Sequence, residues 1–118
     1  MQRKRKPAPD ATTPAPGTSG DLDRIARGIV LAVLARRYPE PMLERLLRRE
    51  TGVLAEGVVA DAVWRRNIGY LEQRNLVEEY EDNIAGTSLP GWALTADGQA
   101  MCEGSIAADP GIELWEMR

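Results

Sequence analysis

Histidine is absent from this 118-residue chain, and Cys102 is its single cysteine. These absences exclude an intrachain disulfide, a Cys/His metal cluster, and nucleophilic or general-base catalysis that depends on histidine. A lone thiol fits a reducing compartment. No apolar run approaches the roughly 20 residues of a membrane span. The opening "MQRKRKPAPD" has charge but no apolar segment behind it, unlike a secretory signal. "EGVVADAV" has too few glycines to cradle a phosphate, and no paired-carboxylate spacing or nucleophile motif appears. The expectation is a soluble cytoplasmic protein that is not an enzyme and uses no metal or cofactor.

What is present is unevenly charged. The formal net charge is −3, but residues 1–20 carry +3, residues 21–77 carry +2 and residues 78–118 carry −8. The length suits one domain. Residues 1–20, Pro-, Thr-, Ala- and Gly-rich with no large aliphatic or aromatic side chain beyond Met1, read as a disordered basic arm. Residues 21–104 read as the folded domain and 105–118 as an irregular C-terminal extension.

Within the domain, Asp21 is a plausible cap for a first helix whose apolar stripe is Leu22, Ile25, Ala26, Ile29, Val30, Val33 and Leu34. "YPEP" ends it. Pro41 suits the first turn of a second helix, with Met42, Leu43, Leu46 and Leu47 buried and Gly52 as its C-terminal cap. A third helix runs from about Val59 to Arg74. It buries Ala60, Trp64, Ile68 and Leu71, and presents Ala62, Arg66, Gly69 and Gln73 on the opposite side with Arg65 on the flank. Asn75 can take a left-handed cap. "LVEEYED" reads as a strand, "NIAGTSLPG" as a turn-rich loop and "WALT" as a returning strand. Thr95 can cap a short last helix stopped by Gly104.

Three helices, a hairpin and a short helix make a mainly α fold with a small β-hairpin, and that order resembles the winged helix-turn-helix. The most specific part is "IGYLEQRNLVEEYED…GWALTADGQAMCEG". The chain is most similar to the small winged-helix proteins of Mu-like prophages, described as ArsR-like regulators. Their "LTxxGxxxxxG" ending and following Pro-Gly are echoed by Leu94 to Gly104 and by Pro110-Gly111. The resemblance implies a phage or prophage transcriptional regulator in a bacterial host cell. ArsR-type metal sensing would need clusters of Cys, His or carboxylate ligands, for which this sequence gives little support.

In that frame Arg65 and Arg66 on the third helix can each offer two donors to guanine, and Gly69 beside them permits close backbone approach. Thr87 and Ser88 at an uncharged wing tip can donate to phosphate, and Arg3, Lys4, Arg5 and Lys6 of the arm can add contacts. Duplex DNA is the leading partner and a homodimer the expected state, since one short helix buries little surface. Each feature also has a plainer explanation. Two arginines can simply sit on a solvated helix face, and Asp61 on the same helix opposes phosphate. Arg45, Arg48 and Arg49 alternate with Glu44 and Glu50 as on an ordinary solvated helix.

The acids Glu78, Glu79, Glu81 and Asp82 pull the other way. Placed on the wing stem, they repel a nearby duplex within a Debye length of about 8 Å. They suit the alternative reading, a non-catalytic protein-binding module whose acidic C-terminal part meets a basic host or phage protein, with Trp115 as a further anchor.

Overall fold

The computed structural model describes residues 19–54 and 60–114. The order is α1 (Ser19–Ala35), β1 (Met42–Leu43), α2 (Glu44–Leu54), α3 (Asp61–Gln73), β2 (Val77–Ile84), β3 (Thr87–Leu94) and α4 (Ala96–Glu103). Four helices thus accompany one antiparallel sheet of three strands in the order β1-β3-β2.

The middle of α1 is apolar on every side. Ile29, Val30, Leu31, Val33 and Leu34 are all buried, because α2, α3, α4 and β3 surround it. Trp64, Ile68 and Leu71 of α3, Leu47 of α2, Met101 of α4 and Val77, Trp92 and Leu94 of the sheet close one core around it. Asn75, at φ 61, turns the chain from α3 into β2 as a left-handed residue, the conformation its short polar side chain tolerates best after glycine. Thr95 caps α4 by accepting a hydrogen bond from the Gly98 amide, and Gly104, at φ 84, ends it.

Several expected boundaries move. α1 begins at Ser19, so Asp21 lies in its first turn rather than at the cap, where a carboxylate still meets the helix's positive end. Pro41 does not open α2. It precedes the two-residue strand β1, whose Met42 pairs with Trp92 and Leu43 with Gly91, so the hairpin gains a third strand at its root. A strand this short leaves no alternation in the sequence to detect. Gly52 is buried inside α2, which continues to Leu54. Packing overrides glycine's weak helix propensity there. Leu22 and Leu46, placed on buried faces from their spacing, are exposed.

The loop expected at residues 83–91 is instead mostly strand. β2 and β3 pair in continuous register from Val77↔Leu94 to Ile84↔Thr87, and only Ala85 and Gly86 turn between them, both at positive φ. That is the backbone of a two-residue hairpin turn. Pro90, inside β3, sits opposite Glu81. Counting rungs from the closing pair, its nitrogen points away from β2 and past the end of β1, so no ladder bond is lost.

Candidate nucleic-acid interface

α3 presents most of the surface expected of it, but Ala60, expected on the buried face, is the exposed residue that precedes the first turn. Trp64, Asn67, Ile68 and Leu71 are buried, while Asp61, Ala62, Arg65, Arg66, Glu72 and Gln73 face out. Gly69 lies on the same open side, and a Cβ added there would meet nothing within 4 Å. Arg65 and Arg66 therefore flank a smooth strip of helix, with side chains 61% and 51% exposed.

Neither arginine stands alone. Arg66 donates from Nη2 to Oδ1 of Asp23 at 3.0 Å, and Asp23 is itself buried in the side of α1. The same carboxylate oxygen accepts from Nδ2 of the buried Asn67 at 3.2 Å. Arg65 lies 3.8 Å from Glu44 and 3.9 Å from Asp61. Glu44 is also committed inward, accepting from Trp92 Nε1 at 2.9 Å and so tying the first turn of α2 to β3. Asp61 is the partner of Arg48 at 2.9 Å. The charges of the strip are thus held by three carboxylates, two of them buried.

The other end of α3 carries a clasp that sequence reading missed. The guanidinium groups of Arg27 and Arg74 lie over the Tyr70 ring, each 3.6 Å from its centroid. Tyr70 donates its hydroxyl to Asp109 Oδ1 at 2.8 Å, Arg74 donates to Oδ2 at 2.8 Å, and the Gly111 amide donates to Oδ1 at 2.7 Å. Arg27 also donates to Asn67 Oδ1 and to the Gly111 carbonyl, both at 3.0 Å. Burial pushes the Arg27 guanidinium down from its ordinary value, against the opposing pull of Tyr70 and Asp23. Burial and the bond to Asp109 push the Tyr70 hydroxyl up. Burial would raise Asp109, but its bonds from Tyr70, Gly111 and Arg74 outweigh that and leave its carboxyl below the usual range.

The clasp fastens residues 105–114 to the domain. Ile112 enters the core, and the Glu113 amide donates to the Arg24 carbonyl at 3.0 Å, beside Gly28, where any Cβ would strike the Glu113 carbonyl. One signal for this was readable. Asn67 lies three residues after Trp64 and four before Leu71, on the buried stripe, so a polar partner was required of some other element.

The hairpin divides in two. At its root Val77, Trp92, Ala93 and Leu94 are buried; beyond it every β2 residue is exposed. Glu78, Glu79, Glu81 and Asp82 lie on this exposed part, and no arginine among the described residues pairs with any of them. Among the described residues Glu78 accepts from the Tyr80 hydroxyl at 3.4 Å, and Glu81 from the Ser88 hydroxyl at 3.1 Å. Thr87 and Ser88 are exposed strand residues rather than members of a loop, and Ser88 spends its proton on Glu81. Arg3, Lys4, Arg5, Lys6 and Trp115 lie outside the described residues.

Cys102 is half-buried, its thiol pushed up by burial and by Glu103. Among the described residues no group of three potential ligands could hold a metal, and no helix is long and apolar enough to cross a membrane.

No family model matches the sequence, and no curated protein does either. Solved structures do. The fold is similar to that of the circadian clock associated protein Pex from Anabaena, with a TM-score of 0.57 and 16% identity over 70% of this chain and 71% of that one. It is also similar to a protein of Thermoplasma acidophilum provisionally assigned as a transcriptional regulator. There the TM-score is 0.52 and the identity 18%, over 65% of this chain and 76% of that one.

Proposed function

We propose that this chain is a winged-helix protein that binds duplex DNA as a transcriptional regulator of the kind carried by Mu-like prophages. The observation that carries the reading is the outer strip of α3, where Arg65 and Arg66 project beside the open backbone of Gly69. In this reading α3 enters the major groove, Thr87 and Ser88 approach a phosphate backbone from the hairpin, and the arm residues Arg3 to Lys6 add sequence-independent attraction. Two copies together read paired half-sites. The fold likeness to a provisionally assigned regulator supports the same class.

The carboxylates behind the arginines fit a reading role as well as a structural one. Asp23 fixes where the Arg66 guanidinium points and Glu44 draws Arg65 toward the same strip, and a restrained fork loses less freedom on meeting a base edge. The test is fluorescence anisotropy on labelled duplex DNA across a salt series. Arg65→Ala with Arg66→Ala is expected to weaken binding by about 1–3 kcal/mol per lost base contact. Unchanged affinity overturns the proposal.

A second reading follows from the hairpin acids, which have no cationic partner among the described residues. They suit a basic protein surface, and a protein that fails to bind DNA at low salt would be assigned to that class.

A further inference from the structure

Four of the arginines in the described residues have no partner. Arg36 and Arg37 follow the end of α1, and Arg45 and Arg49 stand one turn apart on the exposed side of α2. No ion pair or side-chain hydrogen bond joins any of them to another described residue. Between α1 and α2 lies a cleft of about 280 Å³, lined by Val33, Arg36, Arg37, Met42 and Glu50. Tyr38, next after Arg37, and Leu46, next after Arg45, are both exposed apolar side chains. Glu50 lines the cleft and Glu40 follows Arg37 by three residues, so four cations stand against two acids in these two segments.

The opposite edge of the same sheet carries the complement. β1, which runs into α2, is one edge; β2, with its four acids, is the other, and β3 separates them. Among the described residues none of these acids pairs with an arginine of its own chain. Alternation places Glu78, Tyr80, Asp82 and Ile84 on one side of β2 and Glu79 and Glu81 on the other, so acid is mixed with the exposed apolar Tyr80 and Ile84. The receptor face mixes charge with apolar surface in the same way.

We infer that the arginine face at the end of α1 and on α2 is a docking surface for the acidic hairpin of a second copy of this chain. A reciprocal pairing about a two-fold axis uses both surfaces of both copies and closes at the dimer. It rests on the dimer part of the proposed function and is independent of whether α3 meets DNA. It also gives the hairpin acids a task that does not set them against a duplex. Because the pairs are exposed and two glutamates dilute the receptor, the association is salt-sensitive.

The test is sedimentation equilibrium of the full chain at about 0.1 M and about 1 M salt, where the Debye length falls from roughly 10 Å to roughly 3 Å. A dimer that weakens at least tenfold between them is expected. Arg45→Glu with Arg49→Glu should leave monomer, as should Glu79→Lys with Glu81→Lys. Mixing these two variants should restore a dimer, since the exchanged charges then oppose correctly at both contacts, and that recovery also shows that both variants are folded. A wild-type monomer at both salts, or a mixture that stays monomeric, overturns the inference. So does an arginine variant that dimerises normally and loses only DNA affinity, which would assign the face to phosphate. Loss of the DNA reading alone, seen by anisotropy, leaves the dimer result untouched.

Discussion

The arginines of α3 and its neighbours differ from those at the end of α1 and on α2 in what they do for the fold. Arg27, Arg66 and Arg74 belong to networks that reach into the structure. They meet Asp23, Asn67, Tyr70 and Asp109, and between them they hold α1, α3 and the C-terminal segment together. The side chains of Arg36, Arg37, Arg45 and Arg49 have no partner among the described residues. A count of basic residues treats the two sets alike. What separates them is a partner anchored in the fold, whether buried Asp23 and Asn67 or half-buried Tyr70 and Asp109: where such a group holds an arginine, the cation is part of the architecture, and where none does, the cation belongs to the surface.

The sharpest break in this comparison comes from Asp23. Asp23→Ala removes the acceptor of Arg66 and leaves Nδ2 of Asn67 buried without a partner. Losing a buried charged acceptor while its donors remain costs on the order of 3 kcal/mol. Urea denaturation is expected to show that loss. A change below about 0.5 kcal/mol, the range of ordinary surface substitutions, would place Arg66 in the surface class after all.

The clasp offers a graded version of the same test, through pH. Asp109 has its carboxyl lowered in the folded chain, so its contribution is present above the unfolded carboxylate value of about 3.9 and is lost as pH falls through the folded value. Tyr70 is raised, so its contribution is present below about pH 10 and is lost as pH rises through the folded value. Asp109→Asn should therefore flatten the acid limb of the stability curve, and Tyr70→Phe the alkaline limb. At neutral pH the first should cost roughly 1–2 kcal/mol for its charge-assisted bonds, discounted for partial exposure. Identical pH curves for wild type and variants would remove the clasp from the stabilising set.

How much of this could be read beforehand follows from the range of each signal. The element order from α3 to α4 was legible because its signals are local: the stripe of Trp64, Ile68 and Leu71, the left-handed Asn75, the Thr95 cap and the Gly104 stop. β1 was not, because two residues carry no period and their pairing with Gly91 and Trp92 is long-range. The hairpin turn was misread because Ala85-Gly86 lacks the asparagine or aspartate that usually marks it, while Pro90 is harmless only in this register. At the candidate site the outward placement of Arg65, Arg66 and Gly69 followed from helical geometry. Their restraint by Asp23 and Glu44 did not, since it joins residues 43 and 21 positions apart along the chain. The role of Asp109 was hidden for the same reason.

The smallest expected effect is at the other set. Arg45→Ala with Arg49→Ala removes two exposed side chains with no partner among the described residues, so the change in folding free energy should stay within about 0.5 kcal/mol by urea denaturation. Relief of repulsion between two cations one turn apart could even raise stability by a few tenths of a kcal/mol. A residue that contributes so little to its own fold yet remains a cation on an apolar-flanked surface is free to serve another molecule. The stability measurement and the sedimentation measurement therefore have to disagree, the first unmoved and the second lost. If the alanine pair instead destabilised the fold by 2 kcal/mol or so, as the architectural arginines should, the difference between the two sets would collapse, and with it the reason to look for a partner at α2.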